Sequence, residues 1–204
     1  MTSDSRSSVS ADMTPATTAS GRGLLVVALL SGLCLTTPLL SSIPLALDEQ
    51  ASYWTIQPEN PLSVWQLCQS YLATPPLGHW IQQATLAVCG AAEWSLRLPS
   101  AIALWLSIGL IYRTGRDLFS PLTGGAAAVW LAWHPLVLDE VRIARCYGWV
   151  VLFSIALMDC SLRWARDPNR RGAALQWGLW SVLLVWTHYV AIPFIGLCWL
   201  LVAG

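Results

Sequence analysis

Long apolar runs alternate with short polar breaks along the chain. The first run, 23–45, outlasts the h-region of a signal peptide, about 7–15 residues, and lacks a small-x-small cleavage site near its end, so it predicts a retained membrane anchor. Pro38 and Pro44 mark a kink and an exit from it. Residues 1–22, rich in Ser, Thr and Ala without apolar periodicity, predict a disordered tail. Pro58, Pro61, Pro75, Pro76 and Gly90 cut the segment 46–95 into short pieces. Two of these, 61–72 and 76–88, set Leu62, Trp65 and Leu67, then Leu77, Trp80, Ile81 and Val88, among polar residues. They predict amphipathic helices lying in the membrane interface, each with a proline suited to a first turn. Further apolar runs predict spans near 96–112, 121–138, 146–164, 173–189 and 190–204. Small residues from Thr123 to Ala128 favour close helix contact. The fold class expected is all-α: a polytopic transmembrane helical bundle with amphipathic juxtamembrane helices in its first external loop.

Composition strengthens this picture. Only 11% of the 204 residues are charged and 55% are hydrophobic, against about 25% charged in a soluble domain. Net charge is +0, which argues against a nucleic-acid partner. Thirteen Trp suit a protein with many helix ends at headgroup depth. The Cys residues are irregularly spaced with no CxxC; Cys68 and Cys89 share one segment, which permits a bridge without requiring one. The 11 basic residues are all Arg. Arg6 and Arg22, Arg113 and Arg116, and the group Arg163, Arg166, Arg170 and Arg171 fall at alternate span ends, which the positive-inside rule makes cytoplasmic. The N-terminus is then cytoplasmic. Asp48, Glu49, Glu93, Arg97, Asp139, Glu140, Arg145 and His188 share the extracytoplasmic face.

Candidate chemistry lies on that face. Asp48 and Glu49 adjoin the first span; a partly desolvated carboxylate there can act as a general base, or the pair can simply hold span ends in register. His188, in the polar step Thr187-His188-Tyr189, is a ligand candidate because polar groups at membrane depth tend to have partners or tasks. Arg142 and Arg145 either carry function or neutralise Asp139 and Glu140. His79 beside Trp80 reads as an interface residue or a ligand, His134 beside Pro135 as a helix end, and Asp159 with Arg163 as a structural pair at helical spacing.

Several motifs carry a family resemblance: Pro75-Pro76-Leu77-Gly78-His79-Trp80, then Glu93 followed by Arg97-Leu98-Pro99-Ser100-Ala101, then Ala144-Arg145-Cys146-Tyr147-Gly148, then Thr187-His188-Tyr189. From residue 23 to the end, the chain resembles the polytopic GT-C glycosyltransferases. The likeness is to the family 39 group, with protein O-mannosyltransferases and the lipid A aminoarabinose transferases. The resemblance implies that Asp48 activates the acceptor or helps hold a metal, with Glu49 as second member of the pair. It places Arg145 and Tyr147 near the lipid phosphate, and His188 at a phosphate or metal contact. Thr74 stands where many members have Lys or His, so His79 is the candidate replacement. Ile143 stands where many have Glu, so Asp139 or Glu140 would supply a second acid. A divalent metal ion is admitted as cofactor, its ligands unknown. The partners implied are a lipid-linked sugar donor, membrane lipid and an acceptor protein or lipid.

The function expected is transfer of a sugar from a polyprenyl-phosphate-linked donor to an acceptor on the extracytoplasmic face. The location expected is the plasma (inner) membrane, multi-pass. Family members run far longer, so the chain reads as the N-terminal part of such an enzyme. The alternatives are a polytopic transporter or flippase, with the acids and His188 as ion groups, and a truncated non-catalytic membrane subunit of the same fold.

Overall fold

The computed structural model describes residues 15–41 and 44–203. They form ten α-helices with short 3-10 and π turns between them, and no strand is found among the described residues. Helix α1 is Pro15–Thr36, followed by a 3-10 turn at Pro38–Leu40. Residues 15–22, expected to be tail, are the first two turns of α1, and the helix stops short of the expected 45. The remainder of the expected tail lies outside the described residues.

The first loop holds α2 (Leu47–Thr55), α3 (Val64–Leu67) with a π turn after it, and α4 (Leu77–Cys89). The two expected amphipathic helices are thus present, one of them short. Ala73 adopts a left-handed conformation, φ 49°, which ends the π turn and leads the chain into Thr74 and Pro75.

Helix α5 runs Glu93–Leu118, longer than the expected span because its last turns carry Arg113, Arg116 and Asp117. The expected span 121–138 is instead two helices, α6 (Pro121–Ala132) and α7 (Pro135–Arg142). The break has a local cause. Pro135 lacks an amide proton and forces His134 out of the helical region, to φ −71°, ψ 116°. Then follow α8 (Tyr147–Arg166), α9 (Ala173–Thr187) and α10 (Ile192–Ala203). Among the described residues, three helices are long and apolar enough to cross a membrane: Ala16–Thr36, Glu93–Leu118 and Tyr147–Arg166. Segments 121–132, 173–187 and 189–203 are shorter apolar helices.

Helices α1, α5 and α6 pack through glycines. A Cβ on Gly115 would sit 2.7 Å from the Gly124 Cα, and one on Gly125 would sit 2.7 Å from the Leu24 Cβ. Without side chains at these crossings the backbones meet directly. The buried core here includes Ala28, Ala101, Leu104, Ile108, Ala128 and Leu131. A second cluster, with Phe153, Leu157 and Leu184, joins α8 to α9 and α10, and a third beneath the first loop contains Ile56, Val64, Leu96 and Ala144. Helices α5 and α8 run in the same direction: Ser100 lies against Gly148 near their starts, and Thr114 against Asp159 near their ends. The bundle therefore has two distinct ends, and the first loop caps one of them.

Candidate active site

Ala144 ties the first loop to the second. Its amide donates to Glu49 Oε1 at 2.7 Å, and its carbonyl accepts from Gln82 Nε2 at 2.7 Å. Glu49, in the first turn of α2, is 2% exposed. Arg97 Nε donates to Oε1 at 2.7 Å and Nη2 to Oε2 at 2.8 Å, a two-point fork. The Ala46 amide adds a bond to Oε2 at 2.8 Å. Burial pushes the Glu49 carboxyl up, but these hydrogen bonds and the Arg97 charge outweigh it and hold the group below its usual range. Arg97 also donates to the carbonyls of Leu40 and Pro44, so one guanidinium gathers the end of α1, the start of α2 and the start of α5.

The next residue, Arg145, is held by its backbone. Ser100 Oγ donates to the Arg145 carbonyl at 2.6 Å. Gly148 permits this approach: a Cβ there would lie 2.6 Å from the Ser100 carbonyl oxygen. Gly78 does the same for α4, where a Cβ would sit 2.8 Å from the Cys146 Cβ. The Arg97–Ala101 and Ala144–Gly148 motifs are two halves of one interlock.

Arg145 lines a small polar cavity of about 30 Å³ with Ser52, His79, Gln82, Thr187 and His188, enough for about one water. His79 Nδ1 is buried without a hydrogen-bond partner. Desolvation, with the Arg145 charge second, lowers the His79 pKa to about 4, so the ring is neutral at pH 7. His188 follows α9; its Nδ1 accepts from the Val190 amide at 3.3 Å. Tyr147 lies against His188, ring centroids 5.8 Å apart. Both also line an adjoining groove of about 270 Å³ whose other walls include Val150, Val190, Ala191 and Phe194. His188 is thus common to the polar cavity and the apolar groove. Beside them Trp65, Trp80 and Trp186 form a partly exposed group, centroids 5.8–6.4 Å apart.

Asp48 is exposed in the first turn of α2, one turn before Ser52 of the cavity wall, and Ser52 Oγ donates to the Asp48 carbonyl at 3.1 Å. Asp139 and Glu140 are not brought to the cavity. They sit exposed on α7, where Asp139 pairs with Arg142 at 3.1 Å. Arg97, Ser100, Gln82 and Ser52 contribute positions that reading the sequence alone did not assign; an arginine and a serine at the start of an apolar run were the available signal. Cys68 and Cys89 are both free.

Residues 73–203 match the dolichyl-phosphate-mannose-protein mannosyltransferase family. The chain belongs to that family. This bears out the GT-C resemblance and makes the chain a membrane glycosyltransferase in kind. No curated protein and no solved structure matches it. The family match covers α4, both sides of the Ser100–Gly148 contact and the His188 step, while Asp48 and Glu49 lie upstream of it.

For a family member, a divalent metal would need a donor set. Among the described residues no group of three His, Cys, Asp or Glu side chains could hold one. Arg145 is a cation built into the cavity wall.

Proposed function

We propose that the chain transfers a sugar from a polyprenyl-phosphate-linked donor to an acceptor hydroxyl or amine on the extracytoplasmic face of the plasma (inner) membrane, with its N-terminus cytoplasmic. The observation that carries this reading is the join at His188, where a cationic polar cavity meets an apolar groove. A lipid phosphate needs both: a groove for its first isoprenyl units and a fixed cation for its charge.

In this reading the donor phosphate lies at the mouth of the cavity against Arg145 and His188, and Tyr147 flanks the groove. The cavity is too small for the sugar, which rests outside it on the side of α2. The acceptor heteroatom attacks the anomeric carbon as the carbon–oxygen bond to the phosphate breaks. That bonding pair leaves on the lipid phosphate, where Arg145 stabilises the added charge. The acceptor proton passes to the exposed Asp48 carboxylate. Glu49 is a positioning residue: through Ala144 it fixes the backbone next to Arg145. His79, neutral, accepts a hydrogen bond at Nδ1 from a bound water.

A transporter would place ionisable groups at mid-span on broken helices. In α5 and α8 the charged side chains instead gather toward the ends: Glu93 and Arg97, Arg113 to Asp117, and Asp159 to Arg166. This favours transfer over transport.

The test is sugar transfer from a radiolabelled polyprenyl-phosphate sugar by the full-length protein in proteoliposomes. Asp48→Asn is expected to lose about 10²–10⁴-fold in rate with unchanged donor binding. Arg145→Gln is expected to weaken donor binding as well. Undiminished transfer by Asp48→Asn removes Asp48 from the mechanism. Donor binding without transfer by the unaltered protein supports the non-catalytic subunit.

A further inference from the structure

The opposite end of the bundle carries a second cavity, of about 500 Å³, between α5, α8 and α9. About 24 Å of helix rise separates Arg97 from Arg113 along α5, so this cavity is remote from the candidate active site. Arg113, Arg163 and Arg170 line it, with Asp159, Gln176 and Trp180.

The charges there do not balance. Asp159, 4% exposed, accepts from Arg113 Nη2 at 2.8 Å, Thr114 Oγ1 at 2.9 Å and Arg163 Nε at 2.9 Å. Arg163 also reaches Asp117 at 3.1 Å, a carboxylate already shared with Arg116. The Arg170 guanidinium makes no hydrogen bond or ion pair with any described residue. Arg113 spends only Nη2 on Asp159, and its side chain is 53% exposed. Two guanidiniums thus retain donors at a cavity whose one carboxylate is fully engaged. Helix α9 starts at the same end behind Gly172, and no side chain caps its first turn. The remaining wall is apolar, including Leu110, Leu179 and Trp180.

We propose that this cavity binds a phosphate-bearing ligand, the headgroup of an anionic phospholipid in the adjoining leaflet. Arg113 and Arg170 hold the phosphate from two sides, and the apolar wall takes the upper part of an acyl chain. Arg163, fixed by Asp159 and Asp117, sets the width of the cavity. Basic pockets between membrane helices suit such headgroups. The proposal does not depend on the glycosyltransferase chemistry.

Native mass spectrometry of the full chain, released from phosphatidylcholine nanodiscs with added phosphatidylglycerol of equal chain length, tests it. The unaltered protein is expected to retain phosphatidylglycerol over phosphatidylcholine. Arg170→Gln is expected to cut that retention about fivefold. Arg170→Lys, which keeps the charge and loses the fork, falls between. Arg171→Gln removes the same charge one residue away and is expected to change retention less than about twofold. Equal losses from Arg170→Gln and Arg171→Gln, or no preference for the anionic lipid, overturn the proposal. A separate arm adds inorganic phosphate. Persistence of the lipid supports the headgroup; displacement, with phosphorus NMR showing phosphate bound in pure phosphatidylcholine, overturns the lipid assignment.

Discussion

Glu49 and Arg97 meet across 48 residues of chain in a two-point ion pair, each 2% exposed, with both carboxylate oxygens also bonded to backbone amides. Glu49→Ala or Arg97→Ala is expected to cost about 3–5 kcal/mol by stranding the other charge. Arg97→Lys should recover part of this, since it keeps the charge without the fork. Thermal unfolding in detergent, followed by circular dichroism, reads the effect, and a loss below about 1 kcal/mol would remove the pair from its structural role.

Gly148→Ala tests whether backbone approach sets the Arg145 position. The added methyl meets the Ser100 carbonyl, which belongs to a helix and cannot swing aside. Overpacking of this kind costs about 1–3 kcal/mol. Sugar transfer is expected to fall about 100-fold, more than the stability loss accounts for, because Arg145 is displaced from the lipid phosphate. Ser100→Ala, which removes the bond to the Arg145 carbonyl and adds no bulk, should act in the same direction and more weakly.

His79 makes stability depend on pH. Its folded pKa, about 4, lies below the ordinary imidazole value of 6.5, so the unfolded chain binds the proton more readily. The stabilisation is fully present above pH 6.5, falls as pH drops through the interval to about 4, and is gone below it. Allowing for the ring's partial exposure, the swing is about 2 kcal/mol. Unfolding of the protein and of His79→Gln, measured at pH 7.5 and 5, should show the variant's dependence flattened. A lipid phosphate beside Arg145 should offset the cation and raise the His79 pKa, so donor binding at pH 5 should take up protons.

Cys89 ends α4 and is exposed, whereas Cys68 and Cys160 are buried. In sealed right-side-out vesicles, a membrane-impermeant maleimide is expected to label a variant that keeps Cys89 as its sole cysteine from outside if the first loop is extracytoplasmic. Labelling only after permeabilisation would invert the orientation proposed from the arginine distribution.

Much of this arrangement was legible in the chain because bilayers impose coarse rules. Apolar runs located the helices, and Arg145, Tyr147, His188 and the helix bearing Asp48 were marked for one end. The finer geometry was not legible. His134-Pro135 sits inside a continuous apolar run, and nothing in hydropathy divides 121–138 in two; the break is a backbone effect. Asp139 and Glu140 were equally plausible as acids until helix α7 turned them outward. Glu49 and Asp48 are neighbours with opposite fates, because adjacent helical residues point about 100° apart. The role of Gln82 depends on a contact 62 residues away, which no local pattern encodes.

Helix α6 has 12 residues, about 18 Å of rise, against a hydrocarbon core of about 30 Å. Lipid beside so short a helix is expected to thin. Such a dimple shortens the path by which water-borne groups approach the bundle, so the activity of this protein should be tuned by acyl-chain length, with thin bilayers the more permissive host.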